Sequence, residues 1–136
     1  MKNYTFLLCL LICLLVVGCG GNKRLVGKVT FDDGESVPNG TVIFQSMDNK
    51  FMSRGEIQSD GSYKMSSESA NDGIPPGEYR VYVSGISAMP EGPPSAMMLP
   101  VLLCDPKYTD PDTSGIICKV PAPGNKFDIV LERRKN

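Results

Sequence analysis

Apolar residues along this chain follow two patterns. From Phe6 to Val17 they run almost without interruption for about a dozen positions, preceded by Lys2 and followed by small residues. That is the pattern of a secretory signal peptide, too short for a bilayer span, which needs roughly 20 apolar residues. From Leu25 onward, apolar and polar residues alternate in short runs. Leu25 to Phe31 puts Leu25, Val29 and Phe31 on one face and Lys28 and Thr30 on the other, the period of a half-buried strand. Thr41 to Gln45 offers Val42 and Phe44 as a core pair. Met52 to Ile57 and Ser62 to Met65 flank Ser59-Asp60-Gly61, and Asp-Gly between two such runs predicts a hairpin. Glu78 to Ser84 is the clearest strand, with Tyr79, Val81 and Val83 on one face and Arg80, Tyr82 and Ser84 on the other. Gly85 to Pro100 reads as a loop rich in proline and methionine. Gly115 to Val120 and Lys126 to Glu132 complete the set, with Phe127, Ile129 and Leu131 inward. Beyond the first block no helical period is sustained, so roughly seven short strands predict an all-β sandwich.

The end of the apolar block is more specific than the block. Val16, Gly18 and Cys19 resemble the lipobox of bacterial lipoproteins, in which the cysteine is diacylated, the peptide is cut just before it, and the new amino group is acylated. The resemblance implies a signal peptide over residues 1–18, a palmitate-type lipid anchor on Cys19 and a tether over 19–24. More than one acyl chain holds a protein stably to a bilayer. The expected location is therefore an exported protein anchored to the cell membrane. Gly20 stands where an inner-membrane-retained lipoprotein carries aspartate, which favours the outer membrane in a cell that has one.

Within that reading the five cysteines partition completely. Cys9 and Cys13 leave with the signal, Cys19 carries lipid, and Cys104 and Cys118 remain. An isolated pair in an oxidising compartment is expected as a disulfide. Its loop, counted from 104 to 118, would contribute about 3 kcal/mol by the chain-entropy model. The alternative is two buried thiols packed as small hydrophobes.

Removing the first 18 of 136 residues leaves 118, enough for one domain, and shifts the net charge from −1 to −2 because Lys2 is lost. A near-neutral body lacks the dominant basic character that nucleic acid asks for. The run Arg133-Arg134-Lys135 reads as a solubilising tail over 133–136. Histidine is absent, which excludes Ser-His-Asp and Cys-His nucleophile systems and histidine-ligated zinc.

The ordered elements Gly27-x-Val29, Asp33-Gly34-x-x-Val37-Pro38-x-Gly40-x-Val42-x-Phe44, Gly55 through Asp60-Gly61-x-Tyr63, and Pro76-Gly77-x-Tyr79-x-Val81 resemble the carboxypeptidase regulatory-like domain. The match spans about residues 25–132. It implies a transthyretin-like (prealbumin-like) seven-stranded β-sandwich, noncatalytic and without cofactor, and Lys107-Tyr108-Thr109-Asp110-Pro111 with Ser114-Gly115 and Pro123-Gly124-Asn125-x-Phe127 resembles small bacterial lipoproteins made of this domain alone. Fold analogy does not by itself give function.

Two features carry candidate chemistry. Asp110-x-Asp112-x-Ser114-Gly115 matches the first half of a calcium loop, but Pro121 stands where the bidentate glutamate belongs, so an ordinary polar turn is expected and no metal. Met89, Met97 and Met98 lie in the 86–100 loop and are the candidate partner contacts, since methionine makes adaptable surfaces. The expected function is a structural or protein-interaction module of the cell envelope. The alternative is a carbohydrate- or peptide-binding module using the faces that bear Tyr79 and Tyr82 or the 86–100 loop.

Overall fold

The computed structural model describes residues 21–69, 72–93 and 98–135; the expected signal peptide, Cys19 and Met97 lie outside them. Nine strands form among the described residues: β1 (Val26–Phe31), β2 (Thr41–Ser46), β3 (Met52–Glu56), β4 (Ser62–Lys64), β5 (Gly77–Ser84), β6 (Ser87–Ala88), β7 (Val101–Leu102), β8 (Ile116–Val120) and β9 (Ile129–Leu131). Seven of them build two sheets, ordered β4-β1-β9 and β3-β2-β5-β8, and β6 pairs with β7 as a separate ribbon. All pairings are antiparallel except β1 with β9. The architecture is the expected all-β sandwich, and no α-helix occurs among the described residues.

Period-two alternation places the core between the sheets. Val29, Phe31, Ile129 and Leu131 come from one sheet, and Val42, Phe44, Tyr79, Val81 and Val83 from the other; all are buried. Phe44 joins the layers, with its ring 6.0 Å from that of Tyr79 and 6.1 Å, edge-on, from that of Phe127. Gly27 is the inward residue of β1 opposite Tyr63. The Tyr63 hydroxyl donates to the Phe127 carbonyl at 2.5 Å, and the Phe127 N–H donates to Val26 O at 2.9 Å. This places chain from β4 and from the approach to β9 directly over Gly27, which has no side chain to obstruct them. β9 begins only at Ile129 because Asp128 spends its carboxylate on the Lys28 N–H at 2.9 Å, where a ladder carbonyl would otherwise stand.

The hairpin expected at Asp60-Gly61 is corrected. The tight turn forms, with Gly61 at φ +83° and the Asp60 carboxylate accepting from Ser62 N at 2.9 Å. Yet β3 pairs with β2 and β4 pairs with β1, so the turn carries the chain from one sheet to the other. Arg54 and Ser66 bridge back through N–H···O bonds of 3.1 and 2.9 Å, and with Gln58 N donating to Ser62 O at 2.8 Å they join the two sheets along this edge. Turn chemistry fixes the reversal of the chain, whereas the partners are chosen by which inward faces can be buried.

The loop before β5 is held by one carboxylate. Asp72 accepts from the N–H groups of Ser67, Glu68 and Ser69 at 2.6, 2.9 and 3.0 Å, and these bonds hold its carboxyl below the usual range. A depressed folded pKa means the stabilisation is present above the unfolded value, near 4, and is lost as pH falls through the folded value. Asp33, Asp48, Asp60 and Asp128 shift in the same direction. Urea midpoints are therefore expected to be level from neutrality down to about pH 5 and to fall below about pH 4. Asp72→Asn is expected to lower the neutral midpoint and flatten that fall.

Candidate functional site

The strand alternation that buries Gly27 and Tyr63 turns Val26, Lys28, Ser62 and Lys64 outward. On β3 it turns Arg54 and Glu56 outward. Because the Arg54–Ser66 bridge brings the edges of the two sheets together, these outward rows meet in one concave corner. The result is a groove of about 1040 Å³ whose lining includes Arg24, Lys28, Arg54, Lys64 and Lys126 against one carboxylate, Glu56. Lys126 is paired with Asp128 at 2.8 Å. Arg24, Lys28, Arg54 and Lys64 make no ion pair among the described residues. A cleft in which one sign of charge predominates concentrates its field and draws counter-ions, so this corner favours anions. Sequence reasoning missed it because its cations lie on segments far apart in the chain. The available signal was that Lys28 and Lys64 both take outward positions on neighbouring strands.

The anticipated site residues do not gather in one place. Met89 is 61 % exposed beyond the β6–β7 ribbon, whereas Met98 is half-buried with its side chain over Gly92. The ribbon's exposed apolar surface comes instead from Met89, Leu99 and Val101. Asp110, Asp112 and Ser114 form a turn whose oxygens are engaged by the protein itself. Asp110 Oδ1 accepts from Asp112 N at 2.7 Å, Asp112 pairs with Arg80, and the buried Ser114 hydroxyl donates to Val81 O at 2.6 Å. Tyr79 is 2 % exposed with its hydroxyl bonded to Pro75 O, so of the two tyrosines proposed for a ligand face only Tyr82 reaches the surface. The basic tail is likewise corrected at its first residue: Arg133 pairs with Asp33 and Glu35 and lies 4.0 Å over the Phe31 ring.

Cys104 and Cys118 are buried free thiols rather than the expected disulfide. Cys118 pairs with Tyr79 in the β5–β8 ladder, at the level of the Phe44–Phe127 contact. Cys104 bridges to Arg133, beyond the other end of β9. From Phe127 to Arg133 is roughly 20 Å of extended chain, whereas a disulfide needs Cα atoms within about 7 Å. Burial raises both thiol pKa values, that of Cys118 to about 11. Thiol labelling of the processed protein is expected to find no fast-reacting group in the native state and both thiols in denaturant. Finding neither in denaturant would reinstate the disulfide.

No protein-family model and no curated protein matches the sequence. Among solved structures, the chain is similar to the crystal structure of BcpA, the major pilin subunit of Bacillus cereus, with TM-score 0.50 and 15 % identity. The likeness covers 85 % of this chain and 30 % of that one, so the chain spans less than a third of the pilin's length. At that identity the likeness is one of fold.

Proposed function

We propose that this chain is a noncatalytic, lipid-anchored sandwich serving as a structural or protein-interaction module at the cell envelope. In this reading residues 1–18 are the signal peptide, Cys19 carries the lipid, 19–24 form the tether and 25–132 the working domain. The observation that carries it is the fold: a β-sandwich like that of a pilin subunit, following an apolar block that ends in Val16-x-Gly18-Cys19.

The polar groups support a noncatalytic role. Asp60 and Asp72 cap turns, Glu132 pairs with Lys107 at 2.6 Å, and the Tyr63 and Tyr79 hydroxyls are bonded to backbone carbonyls. Histidine is absent, and these carboxylates and hydroxyls are occupied in holding the fold. The exposed apolar ribbon around Met89, Leu99 and Val101 is the candidate partner contact.

Crosslinking followed by pull-down from membranes tests both parts of the reading. Wild type is expected in the membrane fraction with a defined crosslinked protein, and deletion of residues 89–96 is expected to lose that crosslink while retaining the membrane location. Cys19→Ser is expected to block processing or release the chain. A Cys19→Ser chain that is processed and membrane-bound like wild type would refute the anchor.

A further inference from the structure

We propose that the basic groove at the β1–β3–β4 corner seats anionic lipid headgroups, so that the domain lies with this corner against the bilayer. The inference rests on the lipid anchor proposed at Cys19. Its geometric basis is how soon after that residue the chain becomes fixed. Lys23 N donates to Ile74 O at 2.7 Å, and Lys23 O accepts from Ile74 N at 2.9 Å. Gly73 makes this approach possible, since a Cβ there would stand 2.4 Å from Lys23 O. From Cys19 to Lys23 is four residue steps, a reach of at most about 14 Å. Arg24, the next residue, already lines the groove. The groove is therefore tied within a short reach of the membrane surface.

Its chemistry suits phosphate-bearing headgroups. Arg24 and Arg54 present planar forks that match phosphate oxygens two at a time, and Lys28 and Lys64 add compact charges. At about 1040 Å³ it has room for headgroups rather than for a single ion. Since the mature chain carries net −2, concentrating cations here leaves the remaining surface net negative, which orients the domain at an anionic surface. The C-terminal basic run is not an equivalent seat. Leu131 pairs with Phe31, at the other end of β1 from Val26, and Arg133 beyond it is occupied by Asp33 and Glu35. A lipid anchor combined with a basic patch is a recognised two-signal mode of membrane attachment, each basic residue adding about fivefold in partitioning.

The test is lysine footprinting of the full processed protein on vesicles of phosphatidylcholine alone or mixed with phosphatidylglycerol. Amine labelling at Lys28 and Lys64 is expected to fall about fivefold or more on the anionic vesicles, while Lys50 on the β2–β3 turn stays unchanged. The protection is expected to vanish in about 1 M salt, where the screening length is about 3 Å. It is also expected to vanish at Lys28 in the variant Arg54→Glu/Lys64→Glu, whose exposed positions leave the core intact. Equal labelling on both vesicle types overturns the proposal. So does protection by inorganic phosphate or a soluble acidic polysaccharide with none from phosphatidylglycerol. If the protein leaves pure phosphatidylcholine vesicles, the anchor reading fails separately. The groove is then judged on the anionic vesicles: retention with Lys28 protected supports it, and release overturns it.

Discussion

Gly27→Ala is expected to destabilise the domain by about 3 kcal/mol or more, at the upper end of what overpacking costs. A Cβ at this position would stand 1.9 Å from the Phe127 carbonyl oxygen and 2.7 Å from the Tyr63 ring. The first of these is backbone and cannot rotate away. Relief requires the segment before β9 to retreat, which breaks the Phe127 N–H bond to Val26 O and the Tyr63 hydroxyl bond to Phe127 O. Gly21→Ala is the control, because nothing lies within 4 Å of its added Cβ. Urea unfolding of both variants checks the account. A Gly27→Ala protein within about 0.5 kcal/mol of wild type would mean that β1 and the 127 segment are not packed as described.

Phe44→Ala is expected to cost about 3–5 kcal/mol, the range for emptying a large aromatic site in a core. Phe44 is fully buried and packs against two rings, that of Tyr79 in its own sheet and that of Phe127 in the segment leading into β9 of the facing sheet. Removing it leaves both rings without their common neighbour and a cavity between the two sheets. Against a typical total of 5–15 kcal/mol, this is a large share of the domain's stability. The check is the urea midpoint of Phe44→Ala beside Val130→Ala. Val130 is 60 % exposed on β9, and its truncation is expected to change little.

The strands could be read in the sequence because alternation is a direct imprint of one-sided burial. Tyr79, Val81 and Val83 turn inward as their spacing predicts, as do Val29, Phe31, Ile129 and Leu131. Pairing partners could not be read in the same way. Asp60-Gly61 specifies a reversal, but a reversal serves a hairpin and a passage between sheets equally well, and burial of the Tyr63 and Met65 side chains decides for the latter. The β6–β7 ribbon left no pattern because two-residue strands are too short to show a period. The cysteine pair misled for a related reason: the loop from 104 to 118 satisfies loop entropy, whereas the register puts the two thiols toward opposite ends of the core. The groove is assembled from Arg24, Lys28, Arg54, Lys64 and Lys126: the β1–β4 pairing and the Val26–Lys126 bridge gather the lysines, and the edge at Arg54 and Ser66 adds Arg54.

Both the anchoring of the domain and the orientation of the groove depend on Cys19 and on the short connection from it to the point at which Lys23 is fixed. Its most direct test is the intact mass of the N-terminal peptide of the protein purified from membranes. The predicted result is a peptide beginning at Cys19 and carrying acyl chains on its sulfur-linked glyceride and its amino group. A peptide that begins elsewhere, or an unmodified Cys19, would contradict it.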